Sequence, residues 1–175
     1  MRDIKVNGVP FAGDVINQPD SVVEIEQNDQ PLLIQFPGKV AIHDNREDLR
    51  IYGTRISIEI ENNSATIQCF ADRCQFKIHN NAANLHVYGD HNKITVNNNL
   101  GTLNIYGDHL QMTVLDNKGK LHFLGVGNQA EIQKGEATTY GYYMKTVIHP
   151  EATAKVEGKY KEFIDLGKIT SITSI

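Results

Sequence analysis

Apolar residues in the central part of the chain recur with a fixed period of 18 residues. Within one period they alternate with polar residues, as Leu85 and Val87 do, and then Ile94 and Val96. A spacing of two places side chains on one face of a β-strand, so each period predicts two short strands. The matching positions are Leu49, Ile67, Leu85, Leu103 and Leu121 in the first strand and Ile58, Phe76, Ile94, Met112 and Ala130 in the second.

Residues typical of turns separate these strands. Tyr88-Gly89-Asp90 follows the first strand of a period, and a run of asparagines at 97–99 follows the second. Glycine adopts positive φ at no steric cost, and Asn and Asp tolerate it better than most residues. Both junctions therefore predict turns, and two strands with two turns leave no room for a helix within a period.

Residues 18 apart also match in type, which a meander of hairpins does not require. Such matching is expected when each repeat lies in register on the previous one. The sequence therefore predicts an all-β fold, a single-stranded parallel β-solenoid with about 18 residues and two short strands per coil. The usual crossover rule makes it right-handed. Asparagines stacked at one corner are expected to bond to one another through their side-chain amides.

The ends of a solenoid expose unpaired strand edges and need covers. Val6, Asn7-Gly8 and Val9 predict a β-hairpin, so residues 1–30 are expected to form an N-terminal cap. Residues 31–138 are expected to form the solenoid, and 139–175 a C-terminal cap and tail, all in one compact domain. Within this cap the sequence predicts a short helix at 159–166. The tail from Ile169 to Ile175 is left with two alternatives, exchange with another subunit or docking on the cap.

Composition narrows the range of partners. The net charge of −4 argues against a nucleic-acid partner. The sequence has no run of 18 apolar residues, so no membrane-spanning segment is expected. The N-terminus lacks an apolar signal segment, which predicts a cytoplasmic protein or part of an assembly if Met1 is native.

The two cysteines, Cys69 and Cys74, fall at inward positions of one coil. The favoured interpretation is two buried thiols that act as small hydrophobic residues, and a disulfide across the coil is the alternative. Their spacing does not fit a Cys-x-x-Cys redox pair, and no further cysteines complete a metal site. No metal and no cofactor are expected.

The first candidate site is an aromatic ladder, formed by Tyr52, Phe70, Tyr88 and Tyr106, with Tyr142 as a possible extension. Each residue follows an inward one, so alternation places it on the outer surface. The rings are expected either to stack on one another and stabilise the coil, or to bind sugar rings or the apolar face of a partner.

The second candidate is a turn row that starts at Thr54-Arg55. Stacked coils are expected to bring its acidic and basic side chains within one strand spacing of each other. Zinc binding and polysaccharide cleavage are two interpretations of this chemistry. The favoured one is structural, because a tight turn selects Asp after Gly. The row continues with Asp72, Arg73, Asp90, His91, Asp108 and His109.

The segment Val87–Val96, Val-Tyr-Gly-Asp-His-Asn-Lys-Ile-Thr-Val, resembles the Val-x-Gly-x-x-Asn-x-Val-Thr-Val unit of uncharacterised bacterial solenoid repeat proteins. The similarity covers the repeat region only. The Asn of this unit is present at Asn92 and Asn128, whereas other coils have Ile56, Cys74 or Leu110. The resemblance implies a solenoid fold and no particular activity.

These patterns predict a non-enzymatic structural or interaction module that presents rigid β faces to a protein partner or to itself. The alternative is a carbohydrate-binding protein, or a polysaccharide lyase or hydrolase, that uses the aromatic ladder and the turn row. The sequence contains no nucleophile motif and no phosphate-binding loop that would favour an enzyme.

Overall fold

The computed structural model describes residues 3–165 and 168–173. They form strands and turns, with no helix that could cross a membrane. The strands are β1 (Asp3–Val6), β2 (Val9–Pro10), β3 (Val15–Asn17), β4 (Val22–Gln27), β5 (Leu32–Gln35), β6 (Lys39–Asn45), β7 (Leu49–Thr54), β8 (Ser57–Asn63), β9 (Ile67–Asp72), β10 (Gln75–Asn81), β11 (Asn84–Tyr88), β12 (Lys93–Asn99), β13 (Thr102–Tyr106), β14 (Gln111–Asn117), β15 (Lys120–Val126), β16 (Gln129–Asp165) and β17 (Lys168–Thr173).

The strands form two parallel stacks, which confirms the predicted β-solenoid of about eight coils. The first stack contains β3, β5, β7, β9, β11, β13, β15 and residues 138–142 of β16. The second contains β4, β6, β8, β10, β12, β14 and two segments of β16, residues 129–135 and 145–151. The chain passes from one stack to the other at every turn.

Like residues lie over like residues because the register between central coils is 18. Tyr88 lies opposite Tyr106, and Val87 lies opposite Ile105. Leu85 and Ile94, from the two stacks, are both buried in the single core between them. Each coil buries its alternating apolar residues only against its neighbours and the opposite stack, which explains why the sequence repeats.

Coil length changes towards both ends. The register is 17 where Leu32 pairs with Leu49, and 16 where His122 pairs with Thr138. Parallel pairing begins with β3, before residue 31, and continues past residue 138 to the pairing of β16 with β17. The solenoid therefore extends on both sides of the range expected for it.

The N-terminal hairpin is confirmed. β1 and β2 pair antiparallel around Asn7 (φ 51°) and Gly8 (φ 77°), the positive φ values that a type I′ turn needs. β1 also pairs antiparallel with β4, where Ile4 lies opposite Ile25. The hairpin therefore covers the first edge of the second stack, and Pro10 lies on its outer strand.

The helix predicted at 159–166 is wrong. Residues 159–165 are extended and belong to β16, while Leu166 lies outside the described residues. An eight-residue helix has little stability of its own, whereas an extended segment continues the existing ladder. The described part of the tail, β17, pairs in parallel with Thr153–Glu157 of its own chain. Ile175, at the end of the tail, lies outside the described residues.

Two columns of asparagine follow the corner that leads from the second stack to the first. In the inner Asn ladder each Nδ2 donates to Oδ1 of the next coil, over 2.7–2.9 Å; its members are Asn28, Asn45, Asn63, Asn81, Asn99 and Asn117. All six are buried. In the outer Asn ladder of Asn62, Asn80 and Asn98, the bonds run in the opposite direction: Nδ2 of Asn98 donates to Oδ1 of Asn80, and Nδ2 of Asn80 to Oδ1 of Asn62. The corner thus satisfies most of its buried polar atoms, and Oδ1 of Asn28 and Oδ1 of Asn98 are left without a hydrogen bond.

Candidate functional site

The aromatic ladder forms as a continuous stack. Ring centroids are 4.9 Å apart for Tyr52 and Phe70, 5.0 Å for Phe70 and Tyr88, and 5.2 Å for Tyr88 and Tyr106. The ring planes differ by 12° or less. Each inner ring therefore has both of its faces covered by neighbouring rings. A sugar ring stacks on an exposed aromatic face, and this ladder presents ring edges instead.

Tyr142 does not extend the ladder. The last coil of the first stack is two residues shorter, so Tyr140 lies opposite Leu124 and Tyr142 lies opposite Val126 in the turn. The predicted extension assumed a constant period of 18, whereas the register between β15 and β16 is 16, so Tyr142 lies two positions beyond the ladder.

The turn row is held in a left-handed backbone conformation. Arg55, Arg73, His91 and His109 have φ between 55° and 59°, and their side chains are exposed. The rings of His91 and His109 are 5.1 Å apart, which confirms that successive coils bring these residues together.

The aspartates of the turn row accept hydrogen bonds from backbone amides of the next coil. Oδ1 of Asp72 accepts from the amide of Asp90, Oδ1 of Asp90 from that of Asp108, and Oδ1 of Asp108 from that of Val126, each at 2.8 Å. This arrangement supports the structural interpretation of the acidic residues. In the described part of the chain, no three His, Cys, Asp or Glu side chains are grouped so that they could hold a metal ion.

The buried position that follows the turn row has a role that the sequence patterns did not reveal. Asn92 donates to the carbonyl of Ala71 and accepts from the amide of Cys74. Asn128 makes the same two kinds of bond: it donates to a backbone carbonyl and accepts from the amide of Leu110, 18 residues earlier. Cys74 occupies this position one coil earlier. Its Sγ accepts from the amide of Ile56 at 3.1 Å and donates to the carbonyl of Asp72 at 3.2 Å. Cys74 therefore takes the place of a bonding Asn.

Both cysteines are free thiols, so the alternative of a disulfide is wrong. Burial raises the pKa of the Cys69 thiol far above its ordinary value and is also the main cause of the raised pKa of Cys74. Neither thiol is a thiolate at neutral pH, which makes both poor nucleophiles.

The outer surface of the first stack is almost free of charge. Arg50 is the one formally charged residue in two columns of sixteen outward positions, none of which is buried; Lys120 and Glu136, beside these columns, are charged and exposed. These positions form two columns, which define the charge-poor face: Val15, Leu33, Arg50, Gln68, His86, Asn104, His122 and Thr138, and beside them Asn17, Gln35, Tyr52, Phe70, Tyr88, Tyr106, Leu124 and Tyr140. The face ends one coil later, where Lys155 pairs with Glu157.

The outer surface of the second stack, the charged face, has the opposite character. The corresponding sixteen outward positions include five carboxylates and one lysine: Glu24, Glu26, Glu59, Glu61, Glu131 and Lys77. Histidines pair with some of these carboxylates, such as His43 with Glu61 at 2.9 Å and His149 with Glu131 at 2.9 Å. The hydrogen bond that His43 donates to the carboxylate of Glu61 is the main cause of the raised pKa of His43.

The sequence contained the signal for this contrast, because both sets of outward residues follow the same period of 18. The aromatic ladder and the turn row are predicted from the chemistry of individual side chains, and that criterion does not detect the lack of charge over the whole charge-poor face. Comparison with known proteins adds no assignment, since no protein-family model, no curated protein and no solved structure matches the chain.

Proposed function

We propose that this protein is a non-enzymatic interaction module that docks onto a protein partner, or onto itself, through the charge-poor face. The observation that carries the proposal is the contrast between the two outer surfaces, with one charged residue in the sixteen positions of one and six in the sixteen of the other. The cores of protein interfaces are enriched in Tyr, Phe and Arg and depleted in Lys, Glu and Asp. The charge-poor face has this composition.

The rigidity of the stack favours the same function. The aromatic ladder, the inner Asn ladder and the aspartates of the turn row each tie one coil to the next. A surface built on such a framework is already ordered before it meets a partner. Binding to it costs little conformational entropy, which improves affinity for a given contact area.

The second candidate is a carbohydrate-binding or polysaccharide-cleaving protein, and it has less support. The inner rings of the aromatic ladder cover one another's faces. The aspartates of the turn row accept backbone hydrogen bonds through Oδ1. Both sets of residues are used by the fold in the way that the structural interpretation requires.

Matched charge variants test the proposed function. The double variant Gln68→Glu/Asn104→Glu adds two carboxylates to the charge-poor face, and Thr95→Glu/Thr113→Glu adds two to the charged face. Native and variant proteins are immobilised and compared for the proteins they retain from their natural source. We expect partners to be lost from the first variant and kept by the second. Identical retention by both variants would contradict the proposal, and retention of neutral oligosaccharides would favour the second candidate.

A further inference from the structure

We infer that the occupant of the charge-poor face is a second copy of this chain, in a closed two-fold dimer. The inference rests on the proposed function and names the partner. It is argued from the size of the face, its charge, its hydrogen-bonding groups and the cover at the N-terminal end.

The face is large enough for a specific dimer. Each of the sixteen positions takes about 4.8 Å across the strands and about 6.6 Å along them, so the face covers roughly 500 Å² per copy. Two copies would therefore bury about 1,000 Å², which reaches the lower limit for a specific interface.

Charge selects this face for contact between identical copies. A two-fold interface brings the same patch of both subunits together, so the patch has to be compatible with itself. The chain carries a net charge of −4, and the charged face would place five carboxylates and one lysine of one copy near the same set of the other. Like charges across an interface cost several kcal/mol. The charge-poor face has no carboxylate to repel its counterpart.

The polar groups of the face are also self-complementary. Gln68 and Asn104 each carry a donor and an acceptor. Such groups can pair with copies of themselves. Phe70, with 37% of its surface exposed, and Tyr88 lie on β9 and β11, at the centre of the eight strands. Aromatic residues at the centre of an interface usually contribute most to its stability.

The N-terminal hairpin argues against association through the ends. β1 and β2 cover the first edge of the second stack, and Pro10 on the outer strand withholds a backbone donor. An end-to-end contact would give an open filament, whereas contact through a lateral face gives a closed pair. Self-association through this covered N-terminal edge is therefore disfavoured, and the lateral face is the surface that we assign to it.

Sedimentation equilibrium of the native protein and the two double variants tests the inference. Gln68→Glu/Asn104→Glu and Thr95→Glu/Thr113→Glu reach the same net charge of −6, two below the native −4. Neither variant removes an aromatic ring, and circular dichroism verifies that both fold. Over about 2 to 200 µM we expect a dimer for the native protein and for Thr95→Glu/Thr113→Glu. We expect Gln68→Glu/Asn104→Glu to raise the dimer dissociation constant at least ~100-fold.

A native protein that remains monomeric over this range would overturn the inference, and so would a dimer that both variants leave intact, or a filament. These failures are distinct from failure of the proposed function. If the native protein is monomeric and Gln68→Glu/Asn104→Glu abolishes capture of a partner, the proposed function holds and the inferred second copy is wrong, because the face then binds a different protein. If an unfolded double variant prevents the comparison, the single substitution Gln68→Glu, at a half-buried position, is measured against Thr95→Glu.

Discussion

Asn81 donates its Nδ2 to Oδ1 of Asn99 at 2.8 Å, and both side chains are fully buried. The same bond, with the same direction, links five successive pairs of coils. Every inner amide thus depends on the coil above it and the coil below it.

We expect Asn81→Ala to lower the free energy of unfolding by about 2–4 kcal/mol. The change leaves buried groups of Asn63 and Asn99 without partners, and each unsatisfied group costs about 1–3 kcal/mol. The matched control is Asn80→Ala in the exposed outer ladder, for which we expect a loss below about 1 kcal/mol. Urea denaturation measures both. Equal losses would show that burial of the inner ladder does not matter.

The aromatic ladder provides a graded test. Tyr88 stacks on two rings, Phe70 and Tyr106, whereas Tyr52 stacks on one, Phe70. Each stacked pair contributes about 0.5–1.5 kcal/mol beyond burial. We expect Tyr88→Ser to destabilise the protein by about 1 kcal/mol more than Tyr52→Ser in thermal or urea unfolding. The ladder would not be a structural element if neither change altered stability.

The same substitution, Cys to Asn, is expected to lower stability much more at Cys69 than at Cys74. Cys74 occupies the bonding position of Asn92 and Asn128, so Cys74→Asn is expected to change stability by less than about 1 kcal/mol. Cys69 lies on a strand among apolar residues, and Cys69→Asn buries an unsatisfied amide at a cost of about 2–4 kcal/mol. Differential scanning calorimetry compares the two variants. A similar drop in Tm for both would refute the proposed role of Cys74.

Close contact between coils requires glycine at position 89. Its φ is 132°, and a Cβ there would lie 2.3 Å from the carbonyl oxygen of Ala71. Gly89→Ala is therefore expected to cost about 3 kcal/mol or more, because backbone has to move. Gly8→Ala is the control, since Gly8 also has positive φ but has open space around it. We expect a loss of about 1 kcal/mol there, and a comparable loss at both sites in urea would refute the steric explanation.

The pairing of His43 with Glu61 predicts a pH dependence. The folded pKa of His43 lies above its ordinary 6.5, so its stabilising effect is present below pH 6.5 and is lost as pH rises through the folded value. Because both side chains are about half exposed, the effect should stay below about 1 kcal/mol. We expect Glu61→Gln to destabilise the protein at pH 5.5 and to have no such effect at pH 8.5. Glu24→Gln, on the same face, is the control in paired urea titrations.

Most of the fold could be predicted because the stack repeats its contacts at a constant register. Leu85 and Leu103 meet for the same reason that Tyr88 and Tyr106 meet, and the sequence shows both repeats directly. The failures occur where the register changes or where one residue replaces another of different type. The period shortens by two before Tyr142, and Cys74 makes hydrogen bonds although buried thiols usually act as apolar residues.

The candidate site was harder to predict than the fold. The sequence correctly brought His91 next to His109, but the use of Asp90 by the amide of Asp108 depends on turn geometry that residue types do not reveal. The helical pattern at 159–166 failed because local periodicity over two turns is weaker than the ladder on which the chain continues.

The opposed directions of the two Asn ladders determine how much partial charge accumulates at the ends of this corner as coils are added. In an α-helix the peptide dipoles point the same way, so partial charges accumulate at its ends. Here the amide of Asn81 points up the stack towards Asn99, and the neighbouring amide of Asn80 points down towards Asn62. In the coils from Asn62 to Asn99, which carry both ladders, the opposed amides offset each other, so each such coil adds little end polarity at this corner.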